Sequence, residues 1–177
     1  MPKPLDIKSA WEFCMLNYCH KPARVTLVLV WLAIPAFAAD ITGRAYVVDG
    51  DTLRIAGTEI RLEGIDAPEI GQMCADAPGR TFDCGRMVRR RLWDMVRGLP
   101  VTCAPAGADR YGRTLAHCEV NGLEINEALV DAGLARAFVR YSAEYVAPEA
   151  EAIAAKRGLW AGQWGAPWDW RKLHPHP

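Results

Sequence analysis

The chain has 177 residues, 51% of them hydrophobic and 24% charged, with 15 Gly, 12 Pro and 6 Cys, a balance that excludes a disordered, fibrous or polytopic membrane protein. Twenty-one Lys and Arg stand against 21 Asp and Glu, so no global basic field draws the protein to nucleic acid, and any such binding falls to local patches. One domain with a sizeable core is the expectation at this length.

Residues 1–38 read as an address rather than as fold. The stretch 25–39 is almost wholly apolar, Lys21 and Arg24 precede it, and Ala36-Phe37-Ala38 supplies the small-x-small pattern of a signal-peptidase site. Its length falls short of the roughly 20 residues that a membrane-spanning helix needs. A cleaved signal peptide is therefore expected, with secretion or the periplasm as destination and an uncleaved anchor as the alternative. Without this segment 17 basic and 19 acidic residues remain, a net charge of −2. Four cysteines also remain, Cys74, Cys84, Cys103 and Cys118, and an even number in an exported chain reads as two disulfides. Three connectivities are open. The favoured one joins Cys74 to Cys84 across one short loop and Cys103 to Cys118 across a hairpin.

Residues 41–66 alternate apolar and polar side chains as half-buried strands do. Ala45–Val48 runs into the hairpin signal Asp49-Gly50, Thr52–Ile55 leads away from it, and after Ala56-Gly57 a third strand covers Glu59–Glu63. An irregular segment, 67–83, follows. Gly85–Arg97 has Val88, Leu92, Met95 and Val96 near helical spacing, with Arg86, Arg89, Arg90 and Arg97 opposite. A second hairpin is expected over 100–120, a short helix from Asn126 stopped at Gly133, and an alanine-rich helix over Glu149–Arg157 entered at Pro148. The domain then spans 39–162. The tail 163–177, rich in Trp and Pro, packs on the domain or hangs loose, and His174 and His176 within it read as loose tail rather than metal ligands. Five strands with three helices make an α+β protein, and strands in this order suit a small closed barrel.

Three carboxylates fall at element ends: Asp51 past the first turn, Asp66 after the third strand, and Glu69 in Asp66-Ala67-Pro68-Glu69. Hard divalent cations take such oxygens, although Asp in an Asp-Gly-Asp turn is also plain turn chemistry. Arg61 lies five residues before Asp66, and Arg113 ends the run Asp109–Arg113. Two guanidiniums converging on a carboxylate-bound metal would clamp a phosphate, because their planar forks match phosphoryl oxygens.

The runs 48–53, 61–69 and 109–116, in that order and at that spacing, resemble the staphylococcal nuclease (thermonuclease) family, and 126–135 and 158–160 extend the resemblance over 41–160. The resemblance implies a five-stranded oligonucleotide-binding (OB-fold) barrel with three helices. It implies Asp51, Asp66 and the backbone carbonyl of Ala67 as ligands of one Ca²⁺, with Mg²⁺ the second choice. The best-known member has Thr where this chain has Ala67. Glu69 matches the general base, Arg61 and Arg113 the phosphate-binding pair, and Tyr111 and Tyr141 the aromatic residues near the nucleotide. The implied activity is calcium-dependent endonucleolytic hydrolysis of single-stranded DNA and RNA, and more slowly of duplex DNA, leaving 3′-phosphates. A monomer with no obligate protein partner is implied. The alternative is a non-catalytic nucleic-acid- or protein-binding module on the same fold. The slightly acidic mature chain departs from the basic secreted members, which implies weaker long-range attraction to nucleic acid.

Overall fold

The structure is a computed structural model in which residues 39–175 are described. The signal peptide expected over 1–38 and His176 lie outside them.

The alternation of 41–62 produces three antiparallel strands, β1 (Ile41–Val47), β2 (Thr52–Ile55) and β3 (Thr58–Leu62). The Asp-Gly turn joins the first pair, closed by the Val48 N–H donating to the Thr52 carbonyl at 2.9 Å. At the second turn Ala56 and Gly57 both take positive φ, the backbone twist that a two-residue hairpin needs. A short β4 (Ile65–Asp66) follows, and then a small hairpin, β5 (Met73–Ala75) with β6 (Thr81–Asp83). The Cys74–Cys84 disulfide ties this hairpin to the helix that follows it.

That helix, α1 (Cys84–Val96), begins one residue earlier than its apolar spacing suggests. The cap explains the difference. Asp83 accepts the Arg86 N–H, satisfying an N-terminal donor that would otherwise be orphaned. Val88, Leu92 and Val96 are buried against the barrel and Met95 only partly so.

The long strands β7 (Pro100–Ala108) and β8 (Thr114–Val120) form the second hairpin. Cys103 faces Cys118 in its ladder, and the two are bonded. β7 pairs with the free edge of β1, and β8 runs parallel to β3, so the order β3-β2-β1-β7-β8 closes on itself as a five-stranded barrel. Closure removes the sheet edges. Leu53, Ile55, Ile60, Leu62, Val101 and Ala116 fill the interior.

The rest of the chain adds short strands and helices beside the barrel. Strand β9 (Leu123–Glu124) extends β8 and leads into α2 (Ile125–Asp131), β10 (Arg136–Ala137) pairs with β4, and α3 spans Val146–Ala154. Helix α3 starts earlier than Pro148 suggests. Proline is tolerated throughout the first turn, where no intrahelical N–H is needed. A 3₁₀ turn covers Gly158–Ala161.

A fourth helix adds to the three expected: α4 (Pro167–Leu173), with Pro167 at its first position. Its approach is stitched to the disulfide hairpin. Ala75 and Gln163 exchange two backbone hydrogen bonds of 2.9 Å, and Gln72 Nε2 donates to the Gly165 carbonyl at 2.8 Å. No helix among the described residues is long and apolar enough to cross a membrane.

The Cys103–Cys118 bond closes a segment of 15 residues in the barrel wall. Replacing both cysteines with Ala is expected to lower the unfolding free energy by about 3 kcal/mol, read as an earlier urea midpoint. An unchanged midpoint would contradict a structural role for the bond.

Candidate active site

The turn between β1 and β2 lies on the segment that follows β4. Gly50 permits this contact, since a Cβ there would stand 2.7 Å from Ala67 Cβ and 3.0 Å from Val88 Cγ1. The approach brings Asp51 over residues 66 and 67. Its Oδ2 accepts the Ala67 N–H at 2.9 Å, and its Oδ1 accepts the Thr52 hydroxyl at 3.2 Å.

Arg61 sits opposite Thr52 in the β2–β3 ladder. Its fork spans two carboxylates: Nη1 donates to Asp51 Oδ1 at 2.8 Å and Nη2 to Asp66 Oδ1 at 2.7 Å. Asp66 is held from its other side by the β4–β10 ladder, paired with Arg136, and its side chain is 0% exposed.

Glu69 follows on a tight turn. Gln72 Oε1 accepts the Glu69 N–H at 3.2 Å, and the Glu69 carbonyl accepts the Gln72 N–H at 2.9 Å. Gly85 at the start of α1 lets this turn come close, because any Cβ there would overlap the Glu69 carbonyl oxygen.

A third element completes the cluster. Arg171 on α4 donates from Nη1 to Glu69 Oε1 at 2.5 Å and to Asp66 Oδ1 at 3.0 Å, and from Nη2 to Asp66 Oδ2 at 2.7 Å. The site is thus three carboxylates interleaved with two guanidiniums. Burial and Asp51 push the Asp66 carboxyl up, while the bonds from Arg171 and Arg61 oppose the rise. Burial, followed by the neighbouring Asp51, pushes Asp49 up to about 7. Burial disfavours charge on Arg61, but Asp51 and Asp66 outweigh it and its pKa rises.

The donors suit a hard cation in kind. Asp51 and Asp66 offer carboxylate oxygens to one shared guanidinium, and a positive group, the Arg171 fork, already stands on Asp66 and Glu69. Two carboxylates with backbone and water oxygens match Ca²⁺ or Mg²⁺ chemistry. Among the described residues no three His, Cys, Asp or Glu side chains form a ready cage.

The structure therefore brings Asp51, Arg61, Asp66, Ala67 and Glu69 together, with the Ala67 N–H rather than its carbonyl engaged on Asp51. It does not bring Arg113 into the cluster. Arg113 Nε and Nη2 both bond Asp109 Oδ2, at 2.8 and 2.7 Å. In the same loop Tyr111 is 70% exposed, its hydroxyl accepting from Arg110 Nη2 at 2.6 Å. Tyr141, also exposed, lies 5.0 Å from the Phe138 ring, which stacks on Trp168 of α4 at 5.5 Å.

Sequence reasoning missed Arg171 and Arg136. The Arg136 guanidinium lies 4.5 Å from the Trp160 ring and 4.4 Å from the Trp164 ring, so two tryptophans hold the side chain of the residue paired with Asp66 in the β4–β10 ladder. The available signal was Pro167 as a helix start with a basic residue one turn later.

Comparison with known proteins identifies the family. Residues 59–162 match the family described as staphylococcal nuclease homologue. The chain is similar to the succinoglycan biosynthesis protein ExoI of Rhizobium meliloti (strain 1021), 39% identical over 98 residues, 54% of this chain and 51% of that protein. It thus spans about half the length of that relative. It is also similar to an uncharacterized endonuclease of Escherichia coli O157:H7, 36% identical over 156 residues, 83% of this chain and 95% of that protein. A micrococcal nuclease of Shigella flexneri is 32% identical over 164 residues, 82% of this chain and 88% of that protein.

The close approach at Gly85 is checkable by itself. Gly85→Ala is expected to cost about 1–3 kcal/mol by overpacking, whereas Gly165→Ala, with nothing within 4 Å of the new Cβ, should stay within about 0.5 kcal/mol of the parent. Equal denaturation midpoints for the two variants would contradict the packing of Glu69 on α1.

Proposed function

The chain belongs to the staphylococcal nuclease family, and from that footing we propose that it is a calcium-dependent endonuclease hydrolysing phosphodiester bonds of DNA and RNA. The observation that carries the reading is the Arg61 fork, which holds Asp51 and Asp66 together beside Glu69. In this reading the catalytic domain runs over 39–162, after a signal peptide over 1–38 and before a tail over 163–177.

Asp51 and Asp66, with the Ala67 carbonyl as a further donor, hold the divalent cation, which supplies Lewis-acid polarisation of a phosphoryl oxygen. Glu69 takes the proton of the attacking water. The water oxygen bonds to phosphorus, the bond from phosphorus to the 5′ oxygen breaks, the 5′ oxygen leaves as a hydroxyl with a proton from solvent, and the phosphate stays on the 3′ side. Arg61 and Arg113 stabilise the charge that builds on the phosphoryl oxygens, each worth roughly 3 kcal/mol by comparison with oxyanion donors. For Arg113 this means exchanging Asp109 for phosphate, a substitution of one charge-assisted acceptor for another. Tyr111 and Tyr141 are exposed rings of the kind on which unpaired bases stack, which favours single strands over duplex DNA. The two disulfides support an oxidising destination, secreted or periplasmic. The protein is proposed to act as a monomer.

The test is cleavage of single-stranded DNA by the disulfide-intact protein with Ca²⁺ and with chelator. Cleavage is expected with Ca²⁺ alone, falling about 100-fold or more in Arg61→Ala and in Glu69→Gln, with products carrying 3′-phosphate. A folded wild-type protein that binds the DNA and leaves it intact would sink the enzyme reading and favour a binding module.

A further inference from the structure

Arg171 makes three hydrogen bonds to the carboxylates on which the proposed chemistry depends. Both oxygens of Asp66 and one of Glu69 accept from its two Nη atoms. Asp66 Oδ1 already accepts from Arg61, so its two lone pairs are taken, and Oδ2 keeps one. A divalent cation on Asp66 and the Arg171 fork therefore seek the same oxygens. Charge leads to the same conclusion. Asp51, Asp66 and Glu69 bring three negative charges and Arg61 one positive. A divalent cation completes neutrality, and Arg171 beside it is one positive charge too many. Glu69 Oε1 is likewise held by the guanidinium, and a carboxylate paired with a cation is a weaker base toward water.

The element that carries Arg171 is built to come away. Helix α4 has seven residues and no side-chain cap, and its far end is open, with Leu173 79% exposed. Its anchors lie upstream, at the Ala75–Gln163 ladder and the bond from Gln72 to Gly165. Past Gly165 it is tied down at its start by buried Pro167 and by Trp168, which stacks on Phe138 and lies 6.0 Å from the Arg136 guanidinium, and near its far end by Arg171 itself. The segment is a strap fixed at one end and latched at the other.

We propose that Arg171 is a tethered occupant of the metal seat: it neutralises Asp66 and Glu69 in the metal-free protein, and divalent-cation binding displaces it and releases α4. This rests on the reading of Asp51 and Asp66 as metal ligands. Reciprocity follows, because two cations competing for one set of oxygens must weaken each other by the same factor. The latch holds Asp66 and Glu69 in place without the ion and gives them up when the ion arrives.

The experiment is calorimetric titration of Ca²⁺ into the disulfide-intact wild type, Arg171→Met and, as control, Lys172→Met, whose exposed ammonium pairs only with Asp169 among the described residues. Arg171→Met is expected to bind Ca²⁺ about 10-fold more tightly and Lys172→Met to match the wild type. In the wild type alone, Ca²⁺ is expected to speed hydrogen exchange at the α4 amides of Trp170 and His174, which donate within this helix segment, so the inference stays testable if the variant does not fold. Equal or weaker Ca²⁺ binding by a folded Arg171→Met, or α4 exchange unmoved by saturating Ca²⁺, would overturn the latch and leave the metal reading standing. No Ca²⁺ binding by any of the three would bring down both.

Discussion

The site depends on the Arg61 fork, which lies between two buried carboxylates. Asp51 and Asp66 come from different elements and are nearly or wholly excluded from water. Placing two such charges side by side carries a desolvation cost of several kcal/mol per ion, recovered only with bonded partners of opposite sign. Arg61 bonds both, and its own position is set by the barrel. The β2–β3 register puts it opposite Thr52, next to Asp51, and the parallel β3–β8 closure fixes the strand that carries it. A slip of one residue in β3 would turn Arg61 into the core and Ile60 out of it. The hydrophobic interior of the barrel and the polar cluster on its rim are two faces of one register.

The second support is the disulfide hairpin, which serves the tail more than the barrel. Cys74–Cys84 fastens β5 to the start of α1, and β5 offers Ala75 to Gln163. On either side of Gln163, Trp160 and Trp164 hold the Arg136 guanidinium, and the tail then carries α4 to Asp66. Arg136 and Asp66 are partners in the β4–β10 ladder. The tryptophan grip and the Arg171 latch thus act on the two strands of one short ladder. This arrangement gives the aromatic tail a physical reason to exist beyond core filling.

What the sequence disclosed and what it hid divide by range. The three-strand meander was legible because alternation and the 49–50 and 56–57 turns are properties of neighbouring residues. The Cys103–Cys118 pair was legible as facing positions in one hairpin. Helix α1 was legible in its apolar spacing but not in its cap, since Asp83 also belongs to β6. Asp51, Arg61, Asp66 and Glu69 drew attention as polar residues at element ends, and their roles came from family resemblance rather than from chemistry alone. Arg171 was not legible. It meets Asp66 across 105 residues of chain, and an arginine in a tryptophan-rich tail carries no local mark of its partner. Arg113 shows the converse: its motif suggested the cluster, while the nearer Asp109, four residues away, holds the side chain.

Charge distribution determines how such a site meets a polyanion. The arginine face of α1 is not an idle basic patch: Arg86 pairs with Asp83, Arg90 with Asp94, and Arg90 and Arg97 both lie over the Trp93 ring. Arg89 donates to the Val47 carbonyl. With these cations locally matched and the whole chain neutral, little long-range field is left to gather nucleic acid. A phosphate chain at the cluster meets Arg61 and, once unlatched, Arg171, while Arg110 and Arg113 stand in the Tyr111 loop. Counterion release scales with the number of phosphates neutralised, at roughly 0.7 of a log unit per phosphate for single strands. Four such contacts correspond to a slope of about −3 in log affinity against log salt concentration and to a short footprint. The displacement that admits the ion then also adds a guanidinium to the small group facing the substrate.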